Sequence, residues 1–434
     1  MASTAPLLAP LPPGVPPVWW EHGRGSVVWD RDGHRYLDLT SGVLIANLGH
    51  SHPAVTAAIA AQADRLLTTF VGHHAGRERY AARLLAAADG GFTTVAFGST
   101  GAEAVDIAVR AARAATGRRT VVSFLGGYHG KTTENMRLSG LASLQREVGG
   151  AAGQDVVHLP YPDRSTRPSP AADGQHVTRP GETRGTGPHE QDGWTDFLAR
   201  LGVIAPEGIA AVLVEPYLGA GGGVVPDAGF LDRCRRLCDQ LGARLIVDEV
   251  QAGFGRTGRL FAHQAMRRPP DLVVLAKGIA NGVPMSAVLG HDGDLSAPGA
   301  GTLWSSYSAN PLACAAALAT LTSLEEEIDY QRTTRVGTQL VDRLRAGTDP
   351  DSVHVDGIGL SLGLRLTTAA GTPDPARAAA IVRLAATEHI LLLPPAGPNG
   401  EVVRIAPPLT IDDTELEQAT ARVLKVIEAA PAGR

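Results

Sequence analysis

The order of apolar runs predicts an α/β fold: a large unit built on a mainly parallel sheet flanked by helices, followed by a smaller α+β unit. Three observations carry this prediction. Short β-rich runs alternate with helical stretches through the middle of the chain, the pattern of strands joined by crossover helices. At 434 residues the chain exceeds what one hydrophobic core ordinarily supports. From about Ala317 the order changes to a long helical stretch, several short strands and a last helix.

After a proline-rich leader, residues 25–39 (GSVVWDRDGHRYLDL) read as a hairpin of two alternating runs that turn at Asp32-Gly33. Helical periods begin near Ser51 in HPAVTAAIAAQADRLL and continue in RERYAARLLAAA. The strands TVAFG, TVVSFL, AAVLVEP, RLIVDEV and DLVVLAK follow, separated by helices. Beyond them LSLGLRL, ILLLP and VVRIAP are the short strands of the smaller unit, and DTELEQATARVLKVIEAA is its closing helix. The chain divides accordingly into residues 1–60, expected to pack with the small unit and make it discontinuous, residues 61–316 as the large unit, and residues 317–434 as the small one. Residues 162–193, rich in Pro, Gly, Thr and Asp with almost no apolar content, read as a surface insertion.

The composition, 44% hydrophobic and 19% charged, is that of a soluble globular protein, and a net charge of -5 gives no reason to expect nucleic acid or an anionic membrane as partner. No run approaches the roughly 18 apolar residues of a membrane span. The N-terminus lacks the basic start and unbroken apolar stretch of a signal peptide, so a cytoplasmic protein acting on small molecules is expected. Among the three cysteines, Cys234 and Cys238 stand one helical turn apart beside Phe230, Leu231, Leu237 and Leu241, which suits core packing better than a metal. Lysine occurs only at Lys131, Lys277 and Lys425, so lysine chemistry has three candidates.

Four segments could carry chemistry. Thr100 and Glu103 are spaced as a capping box at the start of an Ala-rich helix, and Gly101 lets an anion approach the free N–H groups there; a cap with no ligand explains the same residues. Asp248 ends the run Leu245-Ile246-Val247, at the sheet edge where open α/β folds hold ligands; a buried carboxylate there needs a cation or strong donors, an arginine being the plain choice. Lys277 ends the apolar run DLVVLA. A lysine at that place is unusual, and burial would lower its pKa and free its lone pair to attack an aldehyde. Lys131, in a loop, and Lys425, in the last helix, read as solvated surface lysines. Tyr128, in GGYHG after the strand TVVSFL, is either a ring to stack on a flat cofactor or a packing residue. The glycine run 219–223 is not spaced as GxGxxG and opens no helix, which argues against a nicotinamide cofactor.

Taken in order, LGHSHPAV, STGAEA, GGYHG, VEPYLGAGG, LIVDEVQAGFGRTG, LAKGIANGVPMSAV and SANPLACAAALA resemble the class III, ornithine- and GABA-type, aminotransferases of the type I pyridoxal-phosphate fold, over residues 23–429 apart from the insertion. The resemblance implies pyridoxal 5′-phosphate (PLP) as cofactor, held as a Schiff base on Lys277, with Asp248 on the pyridine nitrogen to keep it protonated. It further implies that Gln251 meets the ring hydroxyl, that Tyr128 and Val250 enclose the ring, and that Thr100, Gly101 and Ala102 take the phosphate, with His129 and Glu215 in the same cofactor site. Ser306 would reach the phosphate from the other subunit of a homodimer, and Arg404 would hold a substrate α-carboxylate by a paired hydrogen bond.

The implied activity moves an amino group from an amino acid, glutamate in the first place, to an aldehyde or ketone, with ω-aldehydes and amino-sugar aldehydes among the acceptors, by ping-pong kinetics. Decarboxylation, aminomutase or racemase chemistry on the same cofactor, and a non-catalytic binding protein, are the alternatives. Three positions depart from the family pattern. Ala220 replaces a glutamate that pairs with the arginine in many relatives, Ser306 replaces threonine, and Ala309 replaces a common glycine, which would narrow the dimer-side wall.

Overall fold

In a computed structural model, described over residues 18–148, 155–164 and 208–431, the alternating run near the N-terminus forms its hairpin. Strands β2 (Val27–Asp30) and β3 (Arg35–Asp38) pair antiparallel, and the Asp30 carboxylate closes the turn by accepting from the backbone N–H of Asp32 and His34. Gly33 there has φ +84°, a conformation glycine adopts without strain. A strand not anticipated from the sequence, β1 (Trp20–Arg24), joins the hairpin's outer edge.

Helix α1 (Pro53–Ala63) begins with proline in its first turn, where the missing N–H costs nothing. Helix α2 (Ala75–Ala88) buries Tyr80, Leu84 and Ala88, one residue per turn, against the core.

The large sheet contains β4 (Thr94–Gly98), β5 (Thr120–Phe124), β6 (Val156–Leu159), β7 (Ile209–Val214), β8 (Arg244–Asp248), β9 (Leu272–Leu275) and β10 (Ser286–Gly290) in the order β4-β10-β9-β8-β7-β5-β6. It is parallel throughout except at β10, which runs antiparallel to both neighbours. Strand β7 reads as an unbroken apolar run because both its faces are covered. Ala211 and Leu213 pack under helix α3 (Gly101–Thr116), while Val212 and Val214 meet helix α4 (Phe230–Leu241), whose Cys234 and Cys238 lie in that core as expected. Beyond Arg164 the expected insertion falls outside the described residues.

Helices α5 (Pro311–Glu327) and α6 (Tyr330–Ala346) lead into an antiparallel sheet of β11 (Val353–Ile358), β12 (Ser361–Leu366), β14 (Leu393–Ala396) and β15 (Val402–Ile405), ordered β11-β12-β15-β14. Helices α7 (Pro375–Thr387) and α8 (Asp413–Ala429) complete this part of the chain. The two-residue strand β13 (Ile390–Leu391) pairs in parallel with β3 of the N-terminal hairpin, placing a strand from the later part of the chain in the hairpin's sheet. Among the described residues no helix is long and apolar enough to cross a membrane.

Candidate active site

The parallel strands of the large sheet all end at one edge, and β4, antiparallel to β10, ends there too. That shared direction brings together residues distant in sequence: Ser99 to Ala102 after β4, Tyr128 to Lys131 after β5, Glu215 after β7, Asp248 at the end of β8 with Val250 and Gln251 just after it, and Lys277 after β9. All of these groups line one cavity of about 400 Å³.

Where the cavity meets the start of α3, Thr100 caps the helix by accepting from the Glu103 N–H at 3.1 Å, a contact worth about 1 kcal/mol. The reciprocal bond of the expected capping box is displaced by one residue, since the Glu103 carboxylate accepts from Ser99 N–H at 2.6 Å. The N–H groups of Gly101 and Ala102 belong to a first helical turn, which has no partners of its own for them. A Cβ on Gly101 would stand 3.0 Å from Val250 Cγ1, so a larger residue here would crowd the Val250 side chain.

Asp248 is buried and makes two bonds: Oδ1 accepts from Val250 N–H at 3.0 Å, and Oδ2 pairs with His129 Nδ1 at 2.7 Å. The partner is thus a histidine, not the arginine that the plain reading of a buried carboxylate suggested. Burial pulls the His129 pKa down, but the bond and charge of Asp248 outweigh it and leave it raised. Glu215 accepts from the N–H of Tyr128 at 2.8 Å and of Gly219 at 3.3 Å, and burial pushes its pKa to about 7.

Lys277 stands in left-handed backbone at φ +41°. Its amine makes one long contact, 3.4 Å to Gln251 Oε1, and burial brings its pKa from 10.5 down to about 8 against the attraction of Asp248 and Glu215. The Gln251 amide packs directly on Gly219, where a Cβ would lie 2.1 Å from its nitrogen and displace the side chain from this position.

Arg404, on β15 opposite Gly363 and Leu393, is not part of the cavity lining, yet its charge acts on both Lys277 and Tyr128. Its Nε is buried without a hydrogen-bond partner and its guanidinium makes no ion pair among the described residues. Ala220, where a counter-charge could have stood, offers only its carbonyl, which accepts from Gly397 N–H. Ser306 is exposed and does not line this chain's own cavity. Ala309 is buried at φ +46°, strained for any residue but glycine, and its carbonyl accepts from Arg77 Nε.

Several lining residues lie outside the expected site: Ser99, Gly130, Ala276 and Gly282 to Met285, which fall within the motifs quoted above, and two that no motif marks. Lys131, expected to be an ordinary surface lysine, is exposed but borders the cavity, and Ile45 reaches it from the N-terminal segment. A glycine before Lys131 was the available signal; nothing in the local sequence marked Ile45. Lys425 does behave as a surface lysine, paired with Glu388 at 2.9 Å.

The donor set suits PLP. A long-stemmed amine of lowered pKa, a helix start with free Gly101 and Ala102 N–H groups, a buried carboxylate backed by histidine, and an aromatic ring converge on a space of the size that cofactor sites occupy.

Comparison with known proteins agrees. The family model described as "Aminotransferase class-III" matches residues 12–427. The chain is 36% identical to the 2-aminoadipate transaminase of Pseudomonas putida over 93% of this chain and 94% of that one, and 34% identical to the 4-aminobutyrate aminotransferase of Escherichia coli over 93% and 92%. The crystal structure of the ornithine aminotransferase of Toxoplasma gondii superposes with a TM-score of 0.80 at 30% identity, covering 96% of this chain and 91% of that one. A second structure of that enzyme, with a TM-score of 0.81 and the same coverage, is described as holding PLP in partial occupancy at its active site. These relatives are aminotransferases, which disfavours the decarboxylase, aminomutase, racemase and binding-protein alternatives. The chain belongs to the class III aminotransferases, enzymes of the type I PLP fold that use pyridoxal 5′-phosphate for transamination.

Proposed function

We propose that this enzyme takes its amino group from a dicarboxylic amino acid, glutamate in the first place, and passes it to an aldehyde or ketone, with the cofactor held on Lys277. The observation that carries the reading is the lowered pKa of Lys277 in the same cavity as the Asp248–His129 pair and the start of α3. Thr100, Gly101 and Ala102 would hold the phosphate, and Asp248, backed by His129, would keep the proton on the ring nitrogen. Gln251 would meet the ring hydroxyl between Tyr128 and Val250, and Glu215 fixes the Tyr128 loop by its bond to that backbone N–H. When bound, the cofactor supplies an electron sink for the bond broken at the substrate's α-carbon. Lys277 Nζ would remove the α-proton and return it during the same half-reaction.

A free amine is needed to capture the cofactor's aldehyde. Capture by cofactor-free protein is therefore expected to accelerate as pH rises through about 8, not through the value near 10.5 of an ordinary lysine. Stopped-flow absorbance at a series of pH values measures this, and a midpoint above pH 10 contradicts it. The linkage has a definite sign: between those pH values the unfolded chain holds a proton that folded Lys277 has released, so cofactor-free protein gains stability as pH rises.

The donor follows from two cations. Arg404 would take one carboxylate and Lys131, at the cavity wall, the other; the name of the 2-aminoadipate relative also points to an amino dicarboxylate. Charge-assisted bonds of about 1.5–3 kcal/mol imply that Arg404→Ala raises the KM for glutamate about 10–100-fold. Lys131→Ala should raise it by less, because Lys131 is exposed. Equal losses toward an amine without any carboxylate would refute both assignments.

A homodimer belongs to the same proposal, with Ser306 of the partner subunit at the phosphate. Trp304 and Tyr307, close to Ser306 in sequence, and Phe70 are exposed, and Arg77 links the first and last by stacking over Trp304 and donating to Phe70 O; a second copy would cover these exposed rings. The pairing of β3 with β13 supports the division into residues 1–60, 61–316 and 317–434, the first packing with the last. Three unpaired, buried cysteines suit a reducing compartment such as the cytoplasm.

A further inference from the structure

Arg256 is fully buried, and every hydrogen bond its guanidinium makes among the described residues goes to a neutral acceptor. Nη1 donates to Leu360 O at 2.9 Å and Pro407 O at 2.5 Å; Nη2 donates to Asn47 Oδ1 at 2.6 Å and Ser41 Oγ at 3.2 Å. Burial lowers its pKa to about 10, against the attraction of Tyr217 and Asp38. A buried cation without a hydrogen-bonded carboxylate is a poor source of stability, so its value lies in the fixed fork geometry.

The fork joins segments that lead to the two sides of the active site. On one side Pro407 lies three residues past Arg404, and Ser41, itself bonded to Arg256, donates to Ala406 O at 2.7 Å. On the other, Asn47 donates to Phe254 O at 2.9 Å and packs against the residue after Lys277: a Cβ at Gly278 would stand 2.7 Å from Asn47 Nδ2. Asn281, just beyond the turn that Lys277 begins, accepts from Leu48 N–H at 3.0 Å and donates to Gly49 O at 2.9 Å. Asn47 O also accepts from Leu409 N–H, closing the circuit.

We propose that Arg256, acting through Asn47, is a positioning residue that sets the separation between Lys277 and Arg404, and so decides how well a carboxylate-bearing substrate spans them. The proposal rests on the roles assigned to those two residues. A lysine at 256 keeps the charge but cannot serve four acceptors from a planar fork. The effect should be selective, because a reagent that meets only one end of the site does not sense the separation.

The test compares holoenzymes of wild type, Arg256→Lys, Asn47→Ala and Arg404→Ala. Three quantities are read: thermal midpoint, the KM and maximal rate of the half-reaction with glutamate, and the rate at which hydroxylamine, a small nucleophile without a carboxylate, releases the cofactor from Lys277. Misplacement by about 1 Å costs on the order of 10²-fold, so Arg256→Lys and Asn47→Ala should each lose about 10–100-fold in kcat/KM for glutamate, mainly through KM. Hydroxylamine release should stay within about 3-fold of wild type. Glutamate kinetics unchanged in both variants overturn the proposal, and so does an equal fall in glutamate and hydroxylamine reactivity, which is the mark of general damage. Should Arg256→Lys fail to fold, Asn47→Ala decides alone by the same criteria. Indifference of Arg404→Ala to glutamate would instead overturn the underlying assignment of Arg404, which keeps the two failures distinct.

Discussion

Replacing Lys277 by alanine is expected to abolish turnover and leave the fold in place. The structural half of this expectation follows from how little the side chain holds. Its amine makes a single contact, at 3.4 Å and so beyond the ordinary range, to Gln251. Removing an amine that burial already disfavours in its charged form relieves a cost and breaks no anchored bond. Alanine is the right replacement because the left-handed backbone, φ +41°, is strained equally by any Cβ, whereas glycine would relax it and confound the comparison. The catalytic half follows from the two tasks given to one atom, holding the cofactor and moving the α-proton. Proton transfer by a positioned group contributes typically about 10²–10⁴-fold, and loss of the covalent anchor adds to this. Turnover is therefore expected to fall by at least about 10⁴-fold with an unchanged or higher thermal midpoint. Sustained transamination near the wild-type rate would remove Lys277 from the mechanism.

The sequence shows the ends of β8 and β9 clearly, for a physical reason. A strand buried on both faces must be apolar throughout, so an abrupt Asp248 or Lys277 at its end has no structural excuse and stands out. What stays hidden is adjacency created by strand order. His129 follows β5, two strands away from β8, and only the order β8-β7-β5 and the loop after β5 bring its ring to Asp248. Strand β1 is invisible because four of its five residues are exposed and carry no alternation. The direction of β10 cannot be read either, since a fully buried strand has the same composition whether it runs parallel or antiparallel. Lys131 shows the limit for single residues: a lysine in a glycine-flanked loop has the same local signature whether it faces open water or a cavity. Ala309 has the reverse character, because a replaced glycine can be noticed in sequence while its cause, a φ of +46°, needs the backbone.

Asp248→Asn should be the second most damaging change, and its damage should fall on rate more than on binding. Asparagine keeps the shape of the side chain and an oxygen to accept from Val250 N–H, so the loop after β8 has no reason to move. At the other oxygen the change is severe. The 2.7 Å partner of His129 Nδ1 loses its negative charge, and the imidazole, held up in pKa by Asp248 against burial, is left with burial as the largest influence, which shifts its pKa downward. The proton that Asp248 would keep on the ring nitrogen then has no anion to hold it. Breaking a buried charged pair by removing one partner costs about 3–5 kcal/mol. If that cost falls on the transition state, kcat drops about 10²–10⁴-fold with KM for glutamate nearly unchanged, because the substrate's carboxylates would be held by Arg404 and Lys131. The pH dependence of stability gives an independent check. A histidine whose pKa is raised in the folded protein contributes stability that is fully present below about pH 6.5 and is lost as pH rises through the raised value. The stability gap between wild type and Asp248→Asn should thus be widest in mild acid and narrow toward higher pH. A kcat within about threefold of wild type, or a gap that widens as pH rises, would mean that the Asp248–His129 pair is scaffold and not part of the chemistry.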